Sequence, residues 1–389
     1  MGETDEASET TAAAGARESG ERGGTRAAAD ARPRLARELT RQVSVGGVTL
    51  GGGAPVRVQS MLTAPTRDAD AALAQARLLA REGCELVRAA IPRADALDGF
   101  ERLCAESPIP VIADIHFDHR LAIEAARRGA AALRVNPGNI GSWDKVDAVI
   151  DEAGARGLPI RVGVNAGSID RSLDARDDLS LADKMVLSAT GFVEHFRARG
   201  FRDVVLSAKA HDVGVTVETY RRLSAALPDV PLHLGITEAG TPRQGAIKSA
   251  VGLGILLAEG IGDTIRVSLT APPQEELPVA WGILAALGMR RRTPELVSCP
   301  TCARCQVDMI PIAQEVERRL AQMRSPISVA VMGCEVNGPG EARGADIGVA
   351  CGRGSGAVFL EGKVIARAPA DQIVDVLFRE IESRFPSTR

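Results

Sequence analysis

The chain has 389 residues, 45% of them hydrophobic and 25% charged, with a formal net charge of −3. This is a globular composition at a length that suits two domains, and no apolar run approaches the roughly 18–20 residues of a membrane span. The near-neutral charge, with no basic stripe interleaved with aromatics, excludes a nucleic-acid surface.

Residues 1–34 contain no Leu, Ile, Val or Phe. A segment that cannot bury apolar surface cannot offset its ordering entropy, so the composition predicts a disordered tail over 1–36. Glu3, Asp5 and Glu6 oppose a secretory or organelle signal and predict a cytoplasmic protein.

From about residue 55 short β-rich runs alternate with Ala/Leu-rich helical stretches. The runs are VRVQSM (56–61), ELVRAAI (85–91), PVIADIH (110–116), AALRVN (131–136), IRVGVN (160–165), DVVLSAK (203–209), LHLGIT (232–237) and DTIRVSL (263–269). Stretches such as 68–83 and 118–130 show helical spacing and end near glycine. Eight such units predict a closed (β/α)8 TIM barrel, an α/β fold, over residues 37–290. GGGAP (51–55) precedes a strand and reads as a hairpin or linker turn rather than a phosphate loop.

After a last barrel helix (274–288) and the charged hinge 288–296 the rhythm changes. A helix over 308–323, strands at 327–332, 346–351, 356–360 and 363–367, and a helix over 370–384 predict a small α+β domain spanning 291–389.

In a TIM barrel the C-terminal strand ends and the loops after them form the active face. Arg57, His116, Arg134, Arg161, Lys209 and Arg266 bring cations or potential cations there, Asn165 and Ser268 neutral donors, and only Asp114 and Glu238 oppose them. Cations crowded into one mouth repel one another unless an anion sits among them, and guanidinium forks fit phosphate oxygens. A substrate with two phosphates is the natural reading; the alternative is that these arginines pair with barrel acids. Glu238, in GITEAG (235–240), is the best general-acid candidate, or else orients an arginine or caps a helix. His119, His195, His211 and His233 read as surface or supporting residues.

The seven cysteines include Cys299-Pro-Thr-Cys302-Ala-Arg-Cys305 and Cys334, with Cys351 beyond. Clustered thiols in a cytosolic chain point to metal or redox chemistry. A zinc site on Cys299, Cys302, Cys305 and Cys334, an iron–sulfur cluster and a redox dithiol all fit the count. Zinc leaves the Gly-Pro-Gly before Glu341 unexplained, and the dithiol lacks its usual helix.

SCPTC (298–302), GCEVNGPGEAR (333–343), ADIHFD (113–118), RVNPGNIG (134–141), RVGVNAGS (161–168), LGITEAG (234–240) and GIGDTIRVSL (260–269) carry a further signal. From about residue 40 onward the chain closely resembles the bacterial 4-hydroxy-3-methylbut-2-en-1-yl diphosphate synthases of the methylerythritol phosphate route to isoprenoids. The resemblance implies a barrel followed by a [4Fe–4S] domain, the cluster held by Cys299, Cys302, Cys334 and Glu341. It implies a homodimer, with the cluster domain of one chain closing over the barrel mouth of the other. The implied reaction opens and reduces 2-C-methyl-D-erythritol 2,4-cyclodiphosphate to 4-hydroxy-3-methylbut-2-enyl diphosphate with loss of water, using electrons from ferredoxin or flavodoxin. Substrate contacts carry over onto Arg57, Asp114, His116, Arg134, Arg161, Asn165, Lys209, Arg266, Ser268 and Asn337, and the acid onto Glu238. Leu62, where the family usually has Thr, His211, and the extra thiols Cys305 and Cys351 depart from the pattern.

Overall fold

The computed structural model describes residues 35–169, 171–334 and 344–386. The predicted tail and the segment carrying Asn337 and Glu341 lie outside the described residues.

The chain enters as a hairpin, β1 (Val43–Val45) and β2 (Val48–Leu50). Its two-residue loop, Gly46-Gly47, has positive φ at both positions (56° and 86°), the backbone a tight hairpin needs. GGGAP is the linker that follows. Eight parallel strands come next: β3 (Arg57–Met61), β4 (Leu86–Ala90), β5 (Val111–Ile115), β6 (Ala132–Val135), β7 (Ile160–Asn165), β8 (Val204–Lys209), β9 (His233–Leu234) and β10 (Thr264–Ile265). They pair in sequence order, β10 returns to β3, and a parallel bridge between Leu206 and Leu232 closes the barrel. The two last strands are only two residues long, shorter than their apolar runs suggest.

Helices form where an acidic or hydroxyl side chain can satisfy the first free backbone N–H groups. Asp68 caps α1 (Ala69–Arg81) by accepting from Ala71 N, and Ser180 and Asp183 form a reciprocal capping box on the helix Leu181–Ala198. These helices bury Leu and Ala stripes against the outside of the barrel, around Val58, Val87, Ala113, Leu133, Val162 and Leu206.

Inside the barrel the period of two decides everything. Leu86, Ile112, Ala132 and Val205 point inward at the N-terminal end, where they pack against Val43, Val45 and Leu50 of the hairpin. The hairpin is thus the floor of the barrel. Two residues along each of those strands, on the same inward face, stand Arg88, Asp114, Arg134 and Ser207. An apolar floor beneath a polar layer is the frame for the site.

Asp263, just before β10, is part of the floor's rim. It is buried, its Oδ2 accepting from Leu232 N (2.8 Å) and its Oδ1 from Thr40 Oγ1 (3.1 Å). Burial pushes its carboxyl up to about 6 despite those bonds. A folded-state value above the unfolded one means this group's stability is full below about pH 4 and lost as pH rises through about 6. Asp263→Asn is therefore expected to raise the unfolding free energy at pH 8 by roughly 2–3 kcal/mol, with little gain at pH 4, read from denaturant melts at both pH values.

The C-terminal sheet runs β11 (Glu295–Ser298), β12 (Ser328–Met332), β13 (Ile347–Gly352), β14 (Ser355–Leu360) and β15 (Lys363–Pro369), parallel over the first three and antiparallel over the rest. Helices Met309–Leu320 and Ile373–Arg384 cover one face through Val316, Leu320, Leu377 and Ile381. β11 lies in what reads from sequence as a charged hinge. Among the described residues no helix is long and apolar enough to cross a membrane.

Candidate active site

The inward residues form one connected polar layer. Asp114 is almost fully enclosed and lies 3.3 Å from Arg88 Nε, 3.3 Å from Arg134 Nη1 and 3.5 Å from His116 Nε2. Burial alone would raise its carboxyl, but Arg88, His116 and Arg134 more than reverse this and hold it well below the usual carboxylate range. Arg161 reaches across the barrel from β7 to β3, its Nη1 donating to Gln59 Oε1 at 2.6 Å. Arg266 is gripped by Glu276, whose Oε1 accepts from Arg266 Nη2 (3.1 Å) and Leu269 N (3.2 Å) and whose Oε2 accepts from Ser60 Oγ (3.1 Å). Lys209 ends β8 with its Nζ 3.1 Å from His233 Nε2.

Among the described residues the layer thus sets Arg88, Arg134, Arg161, Lys209 and Arg266 against Asp114 and Glu276. Burial, and then mutual repulsion, lower the basicity of Arg88, Arg161 and Lys209. Arg161 Nε and Nη2, Arg134 Nε and Gln59 Nε2 are buried donors without a hydrogen-bond partner among the described residues. Buried donors normally have partners, and these face an inward layer rich in positive charge. The arrangement is complementary to a compact polyanion.

Two glycines make the room. A Cβ on Gly163 would sit 2.6 Å from Arg134 Nε. One on Gly235 would sit 2.7 Å from Lys209 Nζ and 2.8 Å from the Arg266 carbonyl oxygen, and that second atom is backbone and cannot swing aside. Gly235→Ala is expected to cost roughly 1–3 kcal/mol of stability and to raise KM, checked by thermal melts alongside steady-state kinetics.

The sequence-predicted set divides clearly. Asp114, Arg134, Arg161, Lys209 and Arg266 come together in the layer. His116 stands exposed at the rim beside Asp114. Asn165 ends β7 in register with Lys209, and Ser268 is half-buried beyond β10. Glu238 is exposed just past β9 and holds a left-handed backbone (φ 51°), unusual for a residue with a side chain.

Arg57 is a correction. It begins β3, so it lies at the floor end, with its Nη1 2.8 Å from Glu85 Oε1 and its Nε donating to Thr49 O of the hairpin. Parallel strands all point one way, so Arg57 starts at the floor end, and those two bonds hold its side chain there. The arginine that does belong to the layer is Arg88, which sequence reasoning passed over. Its signal was an arginine breaking the apolar run ELVRAAI. Gln59, His233 and Glu276 were missed as well; His233 is fully buried rather than on the surface. Leu62 packs into the barrel core, and His211 is exposed.

The thiols gather by strand pairing. β11 and β12 are parallel neighbours, with Cys299 N donating to Val331 O (3.1 Å), so Cys299 and Cys334 leave adjacent strand ends although 35 positions apart. Gly333 N donates to Cys299 Sγ at 3.2 Å. Cys302 is exposed, and the backbone and then the guanidinium of Arg304 hold its thiol below the usual value. Cys305 and Cys351 line the same corner: a Cβ on Gly333 would lie 2.5 Å from Cys305 Sγ and 3.4 Å from Cys299 Sγ, and burial followed by those two neighbours pushes Cys351 up to about 11. Among the described residues no three side chains converge closely enough to hold a metal ion. The donor chemistry still suits a thiophilic centre: an easily ionised thiol beside a cation, and a sulfur already accepting from a backbone N–H.

A closed barrel with an excess of enclosed cations, joined to a domain that presents clustered thiols, defines a TIM-barrel enzyme suited to an anionic substrate. The GcpE TIM-barrel domain matches residues 40–281 and the GcpE protein C-terminal domain residues 295–383. The chain belongs to the GcpE family. It is 51% identical to the 4-hydroxy-3-methylbut-2-en-1-yl diphosphate synthase (flavodoxin) of Geobacter sulfurreducens over 88% of this chain and 97% of that relative. It is 48% identical to the enzyme of the same name from Dehalococcoides mccartyi over 90% and 99%, and 51% identical to that from Salinispora arenicola over 90% and 89%.

Proposed function

We infer that this chain converts 2-C-methyl-D-erythritol 2,4-cyclodiphosphate to 4-hydroxy-3-methylbut-2-enyl diphosphate, within residues 37–290 as substrate domain and 291–389 as cluster domain. The observation that carries the reading is the layer of five buried or half-buried cations against two carboxylates. A cyclic diphosphate bears one negative charge on each phosphorus, and opening the ring frees a terminal phosphate and adds a third. Fixed cations that already outnumber the carboxylates favour the state in which that charge grows, without any reorganisation. Arg88, Arg134, Arg161, Lys209 and Arg266 would hold the two phosphates, while Asp114 orients Arg88 and Arg134, Glu276 orients Arg266, and Gln59 orients Arg161. Asn165, His116, Ser268 and Asn337 would complete the contacts.

Cys299, Cys302 and Cys334, with Glu341, would hold a [4Fe–4S] cluster, which when bound supplies electrons singly from a reduced donor. The relatives' names specify flavodoxin, and a flavodoxin or ferredoxin is the donor proposed for this chain. The reaction also consumes a net proton as the hydroxyl leaves as water. Glu238, exposed just past β9 on a left-handed backbone, would deliver it. Glu238→Gln is expected to bind the cyclic diphosphate within about threefold of wild type yet lose about 10²-fold or more in kcat; equal kcat would remove Glu238 from the role.

A homodimer is supported by the helix Pro242–Ala258. Its buried face carries Leu253, Leu256 and Leu257, and its outer face exposes Ile247 (60%), Val251 (49%) and Ile255 (37%) at steps of four. A helix apolar on both sides belongs against a second surface.

A further inference from the structure

Lys209 and His233 form a pair in which the reading above gives Lys209 phosphate binding and His233 no role. Lys209 is enclosed to all but 8% of its surface, and its recorded polar contact is the 3.1 Å approach to His233 Nε2. Arg161 from β7, Arg134 from β6, Arg88 from β4 and Arg266 from β10 all act on it electrostatically. The carboxylates that could compensate are engaged elsewhere: Asp114 by Arg88 and Arg134, Glu276 by Arg266. Behind the pair, Tyr220 Oη donates to His233 O (2.6 Å) and accepts from Ala208 N (3.1 Å), fixing β8 and β9 together. His116 stands at the rim and is exposed.

Guanidinium groups do not give up their protons in proteins, whereas a buried amine does. Within this layer only Lys209 can shed charge to relieve the repulsion. His233 Nε2 serves either state, donating to a neutral amine or accepting from an ammonium, with the second ring nitrogen changing role to match. We propose that Lys209 stands as the free amine, hydrogen-bonded to His233, when the barrel is empty, and takes up one proton from solvent as the cyclic diphosphate enters. The pair thereby matches the charge of the mouth to its ligand. Burial and then the surrounding cations lower the basicity of both groups, in agreement with this assignment. The inference rests on the diphosphate reading of the same site.

The ligand itself has no group that titrates near neutrality, because each of its phosphates keeps a single strongly acidic oxygen. Proton uptake can therefore be counted by titration calorimetry. Cyclic diphosphate is added to the anaerobic, cluster-loaded enzyme without reductant, at about pH 8, in Tris and in HEPES, whose ionisation enthalpies differ. Wild type is expected to take up about one proton per ligand, with affinity falling up to about tenfold per pH unit above neutrality. Lys209→Met is expected to bind more weakly and take up close to none. Binding by wild type with no proton uptake between about pH 7 and 9 overturns the proposal and leaves the diphosphate reading standing. Undiminished uptake in Lys209→Met assigns the proton to another group, His116 first, and also overturns it. Absence of any binding overturns the diphosphate reading itself. If circular dichroism shows Lys209→Met unfolded, the wild-type pH series alone decides.

Discussion

Arg88→Met is expected to lower kcat/KM for the cyclic diphosphate by about 10²- to 10³-fold, whereas Arg57→Met leaves it within about threefold. The first substitution removes a mostly enclosed guanidinium from the cationic layer and strips Asp114 of one partner. Truncating one member of a buried, hydrogen-bonded charge set costs roughly 2–5 kcal/mol, and that cost falls on the bound state. The Asp114 carboxylate would then compete with the substrate for Arg134, so Asp114→Asn in the same background should recover part of the loss. Arg57 serves the floor. Glu85 keeps its bonds to Arg290 (2.7 Å) and Val58 N (2.9 Å) when Arg57 goes, so Arg57→Met should cost stability by about 1–2 kcal/mol rather than activity. Kinetics and melts on the two variants separate the roles, and a reversed pattern would move the site to the other end of the barrel.

The second large effect concerns the thiols. Cys299→Ser, Cys302→Ser and Cys334→Ser are each expected to reduce bound iron from about four per chain to below about one, with loss of absorbance near 400 nm. The barrel should keep its melting transition. Its hydrophobic core is separate from the second core built on Val316, Val329, Val349 and Leu377. Cys305→Ser and Cys351→Ser should retain iron, although both thiols lie within the same corner as Cys299. Iron loss from Cys305→Ser would make it a ligand, and the set of four assigned here would be wrong.

The contrast between Arg57 and Arg88 also shows what periodicity can and cannot convey. The six earlier barrel strands were legible because each is a short β-rich run set between helical stretches. The last two are legible as apolar runs, but only two residues of each pair regularly, and their ends were harder to place. β11 was hidden because its four residues follow three arginines and a proline, which read as a hinge. Finding it matters, since its pairing with β12 is what delivers Cys299 beside Cys334. Within the site, the alternation of inward and outward residues identifies Asp114, Arg134, Arg161, Lys209 and Arg266 readily. Which end of a strand a side chain serves depends on its position along the strand, and Arg57 stands at the start of its run by either boundary, so its charge alone did not place it at the mouth. Glu276 and Gln59 were illegible for another reason. They act through an arginine on another element, and only packing reveals that partner. Gly163 and Gly235 likewise look like strand weakeners until the side chains needing their space are known.

The proposed function requires that one site both bind the cyclic diphosphate and reduce it. It is tested most directly by anaerobic turnover of that compound by the cluster-loaded wild-type enzyme with reduced flavodoxin. The predicted result is 4-hydroxy-3-methylbut-2-enyl diphosphate formed with two electrons consumed per product, as atom balance requires for this reaction. A fully loaded enzyme that oxidises no flavodoxin and forms no linear diphosphate would contradict it.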